Sequence, residues 1–245
     1  IQFDPDSKTH QQKHRRYRLY GALVLLVVAV VAVGVAIGVT SSGSDTKEIR
    51  RRGIREQASL IASFDELDDP ADPYGQAVDW IIYRDELQLL PNDQYLLQRF
   101  LVAYFYFATS VDNDWNTCGP LDGRSSFCDY QGQRNYRWLS ATPLCQWAGI
   151  RCDEEKFVRQ LDLVGLGLNG PLPDGIFHLR NITYIALGDN ALYGSIPELW
   201  YTLPLESLFL SSNRITGTMG DEIGQLQNLT SLNLDGNLLS GELPD

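Results

Sequence analysis

The sequence has little histidine, three residues in 245, and this scarcity is the first constraint on function. His10 and His14 precede a long apolar run, and only His178 follows it, in a variable return segment where it reads as a surface residue, so no Ser/His/Asp or Cys/His set is evident. A phosphate-binding glycine loop followed by lysine is also absent. Catalysis within these residues is therefore not expected, and neither is a cofactor. Basic residues are in short supply too: 20 Lys and Arg face 31 Asp and Glu, for a net charge of −11. The balance is uneven. Residues 1–55 carry 10 basic and 4 acidic side chains, and the remainder has a net charge of −17. An acidic body lacks the clustered Lys and Arg that phosphate contacts need, which argues against nucleic acid and against simple electrostatic docking on anionic lipid. There are four cysteines. Their spacings, Cys118-x9-Cys128 and Cys145-x6-Cys152, match no zinc pattern, and no paired histidine lies nearby. Asp112, Asp114 and Asn116 alternate as in a calcium loop, but the sixth and twelfth positions hold Thr117 and Gly123 where Gly and Glu would be needed. No metal site is expected.

The longest feature present is apolar. Residues 21–39 contain no charge and no strong polar group. As a helix they would span roughly 28 Å, close to the ~30 Å of a bilayer core. The run is longer than a signal-peptide core and follows about 20 hydrophilic residues, so it reads as an uncleaved signal anchor over 20–40, with a basic tail at 1–19. Lys13, Arg15, Arg16 and Arg18 directly precede it. Lys47, Arg50, Arg51, Arg52 and Arg55 follow at a distance, so charge alone only leans toward a cytoplasmic N-terminus. All four cysteines and both sequons, Asn181-Ile182-Thr183 and Asn228-Leu229-Thr230, lie after the span. Disulfides and glycans belong to the secretory side, which places the C-terminal part outside, at the plasma membrane or another secretory-pathway membrane. Gly34 and Gly38 form a GxxxG pair through which two such helices could approach as a homodimer.

Residues 41–72 read as a juxtamembrane helix or linker, with Arg50, Arg51 and Arg52 as a solvated face near headgroups and a turn cluster from Asp68 to Pro73 as a boundary. A helical cap is expected over 73–157. Ala77, Trp80 and Ile81 fall on one stripe, Pro91-Asn92-Asp93 offers a stop and a fresh N-cap, and Leu96 to Phe107 forms a strongly apolar helix whose aromatic stripe reads as core. The cysteine spacing favours two local disulfides, Cys118–Cys128 and Cys145–Cys152, among three connectivities that four cysteines allow.

From Val158 the chain repeats, with unit starts at 158, 182, 205 and 229. Each unit places apolar residues as LxxLxL, then Asn, then Gly and a hydrophobic–Pro pair. The second unit, for example, has Ile182, Ile185, Leu187, Asn190, Leu192, Gly194, Ile196 and Pro197. The LxxLxL segments predict short strands whose apolar side chains point inward. Asn190, Asn213 and Asn237 predict a ladder bonding the backbone of the turns, with Leu166 breaking it in the first unit. No unit can bury its apolar face alone, so stacking must supply the core. The sequence starts at Ile1 and stops at Asp245 inside a repeat, and reads as a piece of a longer protein.

These units resemble the plant-type leucine-rich repeat, LxxLxLxxNxLxGxIP. Cys145-Gln146-Trp147-Ala148-Gly149-Ile150-Arg151-Cys152 resembles the cap motif C-x-W-x-G-V-x-C of that family. The Asp93–Phe107 helix and the Asp114-Trp115 and Trp138-Leu139-Ser140 stretches further resemble single-pass leucine-rich-repeat proteins of diatoms. The resemblance covers about residues 74–245. Met219-Gly220 departs from the repeat pattern in the third unit. It implies a Cys145–Cys152 disulfide and an α/β leucine-rich-repeat solenoid over 158–245, with short parallel strands on an exposed, ligand-facing concave sheet. A helical, disulfide-bonded cap and one N-terminal membrane helix complete the expected architecture.

The non-leucine strand positions then line the concave face. They are Gln160, Asp162, Val164, Tyr184, Ala186, Gly188, Ser207, Phe209, Ser211, Ser231, Asn233 and Asp235, and Asp189 is counted with them as a ligand-binding residue of the concave face. Exposed aromatics among small polar residues fit a recognition surface. The two sequons fall on one edge, about two strand spacings or roughly 10 Å apart, and leave that face free. The expected function is a membrane-anchored, receptor-like module that binds an extracellular protein, peptide or glycan and signals through a co-receptor. The alternatives are a structural or adhesive wall component, an inhibitor of wall enzymes, or the ectodomain of a receptor kinase whose catalytic domain lies elsewhere in the chain.

Overall fold

The computed structural model describes residues 43–111, 115–120, 126–219 and 221–241. The basic tail, the apolar run at 20–40, the Gly34/Gly38 pair, and Asp112 and Asp114 lie outside these residues. Among the described residues no helix is long and apolar enough to cross a membrane. Residues from Glu48 onward form one compact unit.

The segment expected as a linker is part of that unit. Helix α1 (Gly43–Ala58) is polar on most of its surface, but Ile54 and Ala58, spaced i,i+4, are buried. Arg50 is not a solvated headgroup contact. Its guanidinium donates to the Leu89, Ile82 and Ile81 carbonyls at 3.1, 3.0 and 3.1 Å, which ties α1 to the chain below it. Helix α2 (Phe64–Asp68) starts at a capping box, in which Ser63 and Glu66 each accept the other's backbone N–H, and it buries Leu67. The Asp68–Pro73 cluster is a helix start rather than a domain boundary. Asp72 Oδ1 accepts the Tyr74 N–H at 2.7 Å, and Pro73 opens α3 (Pro73–Asp79). A π-turn, Trp80–Arg84, continues α3.

Helix α4 (Leu96–Ala108) is the centre of the cap and is buried on nearly every face, because α3, the first repeat and the 138–148 segment surround it. Aromatic rings fill the space around it. Trp138 packs against Trp115, Trp147 and Phe105 with centroids at 4.6, 5.7 and 6.0 Å. The Trp138 and Trp115 indoles donate to the Ala148 and Thr109 carbonyls, so their polar ends are satisfied inside the core.

The cap is not helical throughout. Strands β1 (Phe127–Tyr130) and β2 (Gln133–Tyr136) form an antiparallel hairpin whose two central turn residues, Gln131 and Gly132, both have positive φ. The polar run Asp129–Asn135 carries no helical or strand period strong enough to announce it. The disulfides Cys118–Cys128 and Cys145–Cys152 hold the hairpin and the following turn to the body. Strand β3 (Ile150–Cys152) then pairs antiparallel with β4 (Val158–Asp162) and so carries the cap into the repeat sheet. Gly149, immediately before β3, has φ +73°, and a Cβ there would lie 2.0 Å from the Asp162 carbonyl oxygen. That double constraint explains glycine at this position.

The repeats form a five-stranded sheet in the order β10-β8-β6-β4-β3. Here β6 is Tyr184–Ala186, β8 is Ser207–Phe209 and β10 is Ser231–Asn233, and these strands run parallel to β4. Leu161, Ile185 and Leu208 share a register and are 0–1 % exposed, whereas Leu232, next in the row on the edge strand, is 39 % exposed. A second parallel sheet, β5 (Asn169–Pro171), β7 (Ala191–Gly194) and β9 (Arg214–Ile215), follows the turns. The cap extends it: Val111 donates to the Asn169 carbonyl and Asn169 to the Thr109 carbonyl. Short 3-10 turns return the chain, and the Trp200 indole donates to the Pro173 carbonyl, stitching two of them together.

The ladder has the geometry its spacing predicts. Asn213 Oδ1 accepts from Leu192 N, while its amide donates to the Leu187, Leu210 and Ser211 carbonyls. Asn190 and Asn237 repeat this one unit earlier and later, each bonding its own turn and the preceding one. In the first unit Leu166 is buried instead, and the cap supplies a donor to its carbonyl from Asn116 N.

Candidate binding face

Strand register sorts the candidate residues into rows. Gln160, Tyr184, Ser207 and Ser231 form one row, and Asp162, Ala186, Phe209 and Asn233 form the next. Tyr184 and Phe209 are diagonal neighbours, and their rings meet edge-on at 5.6 Å. Burial raises the Tyr184 pKa and Asp162 adds to the shift, while Arg151 opposes it. Ser207, Ser211 and Ser231 are half-buried, and Asn233 and Asp235 are exposed. These residues make a continuous aromatic-and-hydroxyl surface across β6, β8 and β10.

Two candidates behave differently. Asp162 belongs to the cap contact: the Tyr130 hydroxyl donates to its Oδ1 at 3.3 Å and Gln131 Nε2 to its Oδ2 at 3.0 Å. The hairpin turn thus covers the N-terminal end of the face, and burial together with Asp162 pushes the Tyr130 phenol far up. Asp189 sits in the turn after β6 with φ +55°, and its N–H donates to the Ser211 carbonyl, so it lies at the lower rim rather than on the strand. Ala186 and Gly188 are buried and form floor rather than contact surface.

Sequence reading missed Arg151. It pairs with Gln160 across β3 and β4 and is exposed, which places a cation in the same row as Tyr184. The alternation of buried Ile150 with exposed Arg151 was the available signal, but it precedes the first repeat unit. The reading also missed a buried pair inside the cap. Arg99 and Asp85 are each 1 % exposed and bond through two parallel contacts of 2.7 Å. Arg99 also donates to the Thr142 and Ser140 carbonyls and lies over the rings of Trp147 and Trp80. Its surroundings leave it a structural role. Among the described residues no group of three His, Cys, Asp or Glu side chains could hold a metal ion. Asn181 and Asn228 are both exposed, and Asn181 Nδ2 donates to Asp153 Oδ2 at 2.8 Å. His178 packs on Phe177, and burial lowers its pKa, with Arg180 contributing.

The repeats themselves are matched by a family model described as Leucine Rich Repeat over residues 204–226 and 228–245. With the stacked strands and the Asn ladder, this defines a leucine-rich-repeat fold. Two relatives from Arabidopsis thaliana are informative. A probable inactive receptor kinase is 41 % identical over 69 residues, covering 27 % of this chain and 10 % of the relative. MDIS1-interacting receptor like kinase 1 is 32 % identical over 131 residues, covering 49 % of this chain and 13 % of the relative. The chain thus matches only about a tenth of the length of these receptors. Among solved structures, the BIR2 ectodomain from Arabidopsis thaliana is 34 % identical, with 41 % of this chain and 55 % of that one covered and a TM-score of 0.40.

Proposed function

We propose that this protein is a membrane-anchored, receptor-like binding module that faces the cell exterior and recognises a peptide, protein or glycan on its concave sheet. The observation that carries this reading is the surface around Tyr184 and Phe209. Two aromatic side chains in contact lie among serines and an asparagine, next to the exposed Arg151 and beyond the end that the cap hairpin covers. Such a surface combines rigid apolar area with adaptable hydrogen bonding. The relatives are named as receptor kinases, which supports a role in recognition. The anchor is the apolar run at 20–40, in the single-pass arrangement of the diatom-like proteins, with the N-terminus cytoplasmic. Both disulfides lie C-terminal to it, as an oxidising exterior would favour. Residues 1–19 carry no evident signalling motif, so a co-receptor belongs to the proposal.

The test is protease treatment of sealed microsomes containing the full-length protein, with and without detergent, followed by removal of N-glycans. The expected result is a protected, glycan-bearing C-terminal region. A region that carries no glycan and is digested without detergent would place the repeats in the cytosol and overturn the reading. With the topology established, a screen of secreted peptides and wall glycans against the wild type and Phe209→Arg should yield ligands that the variant loses. Ligands held equally well by both would move the site off this face.

A further inference from the structure

A groove of about 350 Å³ opens where the turn after α1, helix α4 and the first repeat meet, and Asn181 stands at its edge. Its walls are apolar: Leu60, 69 % exposed, with Leu97 and Phe157. Gln94 and Arg180 provide polar groups at the rim. Nothing in the concave-face mechanism uses this site, which is reached from the loop that precedes β6. Asn181 opens the sequon Asn181-Ile182-Thr183, its side chain is exposed, and the 2.8 Å bond to Asp153 Oδ2 fixes the direction of its amide. Asp153 is fixed in turn by accepting the Phe157 N–H at 2.8 Å, so the amide and the groove wall belong to one hydrogen-bonded unit.

We propose that the groove is the seat of the N-glycan carried by Asn181, its first sugars packing on Leu60, Leu97 and Phe157. The proposal rests on the outward topology above. Attachment breaks the bond between C1 of the first N-acetylglucosamine and its lipid pyrophosphate carrier. It forms a bond from that carbon to Asn181 Nδ2; the lipid pyrophosphate leaves with the bonding pair, one amide proton passes to the medium, and the other stays for Asp153. Tethering supplies the specificity that the groove alone lacks: a sugar held at its edge is at high effective concentration, so weak contacts suffice. A pyranose ring offers an apolar C–H face to the walls and equatorial hydroxyls to Gln94 and Arg180, and an apolar lining with a few polar groups is the usual composition of a ligand site. The glycan would brace the turn after α1 and the cap against the first repeat, since Leu60 comes from that turn, Leu97 from the cap and Asn181 from the repeats.

The test uses the full chain made through a secretory host. Glycan-bearing protein is compared with Thr183→Val, which removes the sequon and leaves the Asn181 amide in place. Both are made again with Leu60→Ser, a change at an exposed position that the fold should accept. The glycan is expected to raise the melting midpoint by about 2–4 °C with Leu60, and by less than half that with Leu60→Ser. Native Asn181 glycan should also resist an endoglycosidase that cuts within its two-sugar core, and Leu60→Ser should speed cleavage several-fold. Equal midpoint shifts and equal cleavage rates at full occupancy would overturn the seat. A bare Asn181 beside an occupied Asn228 would overturn it too, with the topology intact. If both sequons are bare and the repeats are digested without detergent, the topology itself has failed.

Discussion

The cap and the repeats solve one problem in two ways. Both bury polar groups beside a large apolar core, and buried polar groups are costly unless they are bonded. The repeats use one device three times. Asn190, Asn213 and Asn237 each bond turn carbonyls two and three residues back in the chain and groups of the preceding unit, so any new unit brings its own partner. The cap uses a device that occurs once. Arg99 meets Asp85, 14 residues away, and carbonyls 41 and 43 residues away, between two tryptophan rings. A repeated solution tolerates local loss, as Leu166 shows by replacing the first Asn while the cap donates to its carbonyl. A solution used once has no neighbour to stand in for it.

That contrast can be broken or sharpened by substitution, with stability followed by tryptophan fluorescence during chemical denaturation of the full chain in mild detergent. The largest effect is expected at the cap. Arg99→Met should cost about 3–5 kcal/mol, because it leaves the Asp85 carboxylate buried without its counter-ion and with only the Leu87 N–H bonded to it. Adding Asp85→Leu should recover part of that loss but not all, since the Ser140 and Thr142 carbonyls lose the donor that reaches them from Arg99. Full recovery by the double variant would show that the carbonyl contacts are unimportant. An intermediate effect is expected in the ladder. Asn213→Ala should cost about 1–3 kcal/mol by leaving buried turn groups unbonded, and Asn237→Ala should cost less because water reaches that half-buried site. Equal losses at the two positions would contradict this account of the ladder. The smallest effect belongs to the exposed ion pair Arg159–Glu206, at 3.3 Å between the first and third units. Arg159→Ala should change stability by under about 1 kcal/mol, and less at high salt.

The candidate face was legible in part for the same reason. Alternation along each LxxLxL strand identifies which side chains point away from the core, so Tyr184, Ser207, Phe209 and Ser231 could be placed from their own neighbours. Nothing near Asp162 in sequence reveals that Tyr130 and Gln131, more than 30 residues earlier, lie on it. Arg151 joins the face through an antiparallel strand outside the repeat period. Arg50 looked like one of three equivalent arginines, and only its contacts with the 81–89 segment separate it from Arg51 and Arg52.

The sequence by itself determined the stacked strands, the inward leucines, the asparagine ladder and the central apolar helix of the cap. Each is set by interactions that recur at short, regular spacing, so periodicity alone encodes it. Tertiary structure decided the hairpin over the concave face, the Arg99–Asp85 pair, the incorporation of residues 48–72 into the core and the groove beside Asn181. Each of these joins segments tens of residues apart through a contact made once. A pairing without a repeat leaves no period to read, and exists only when the chain has closed around it.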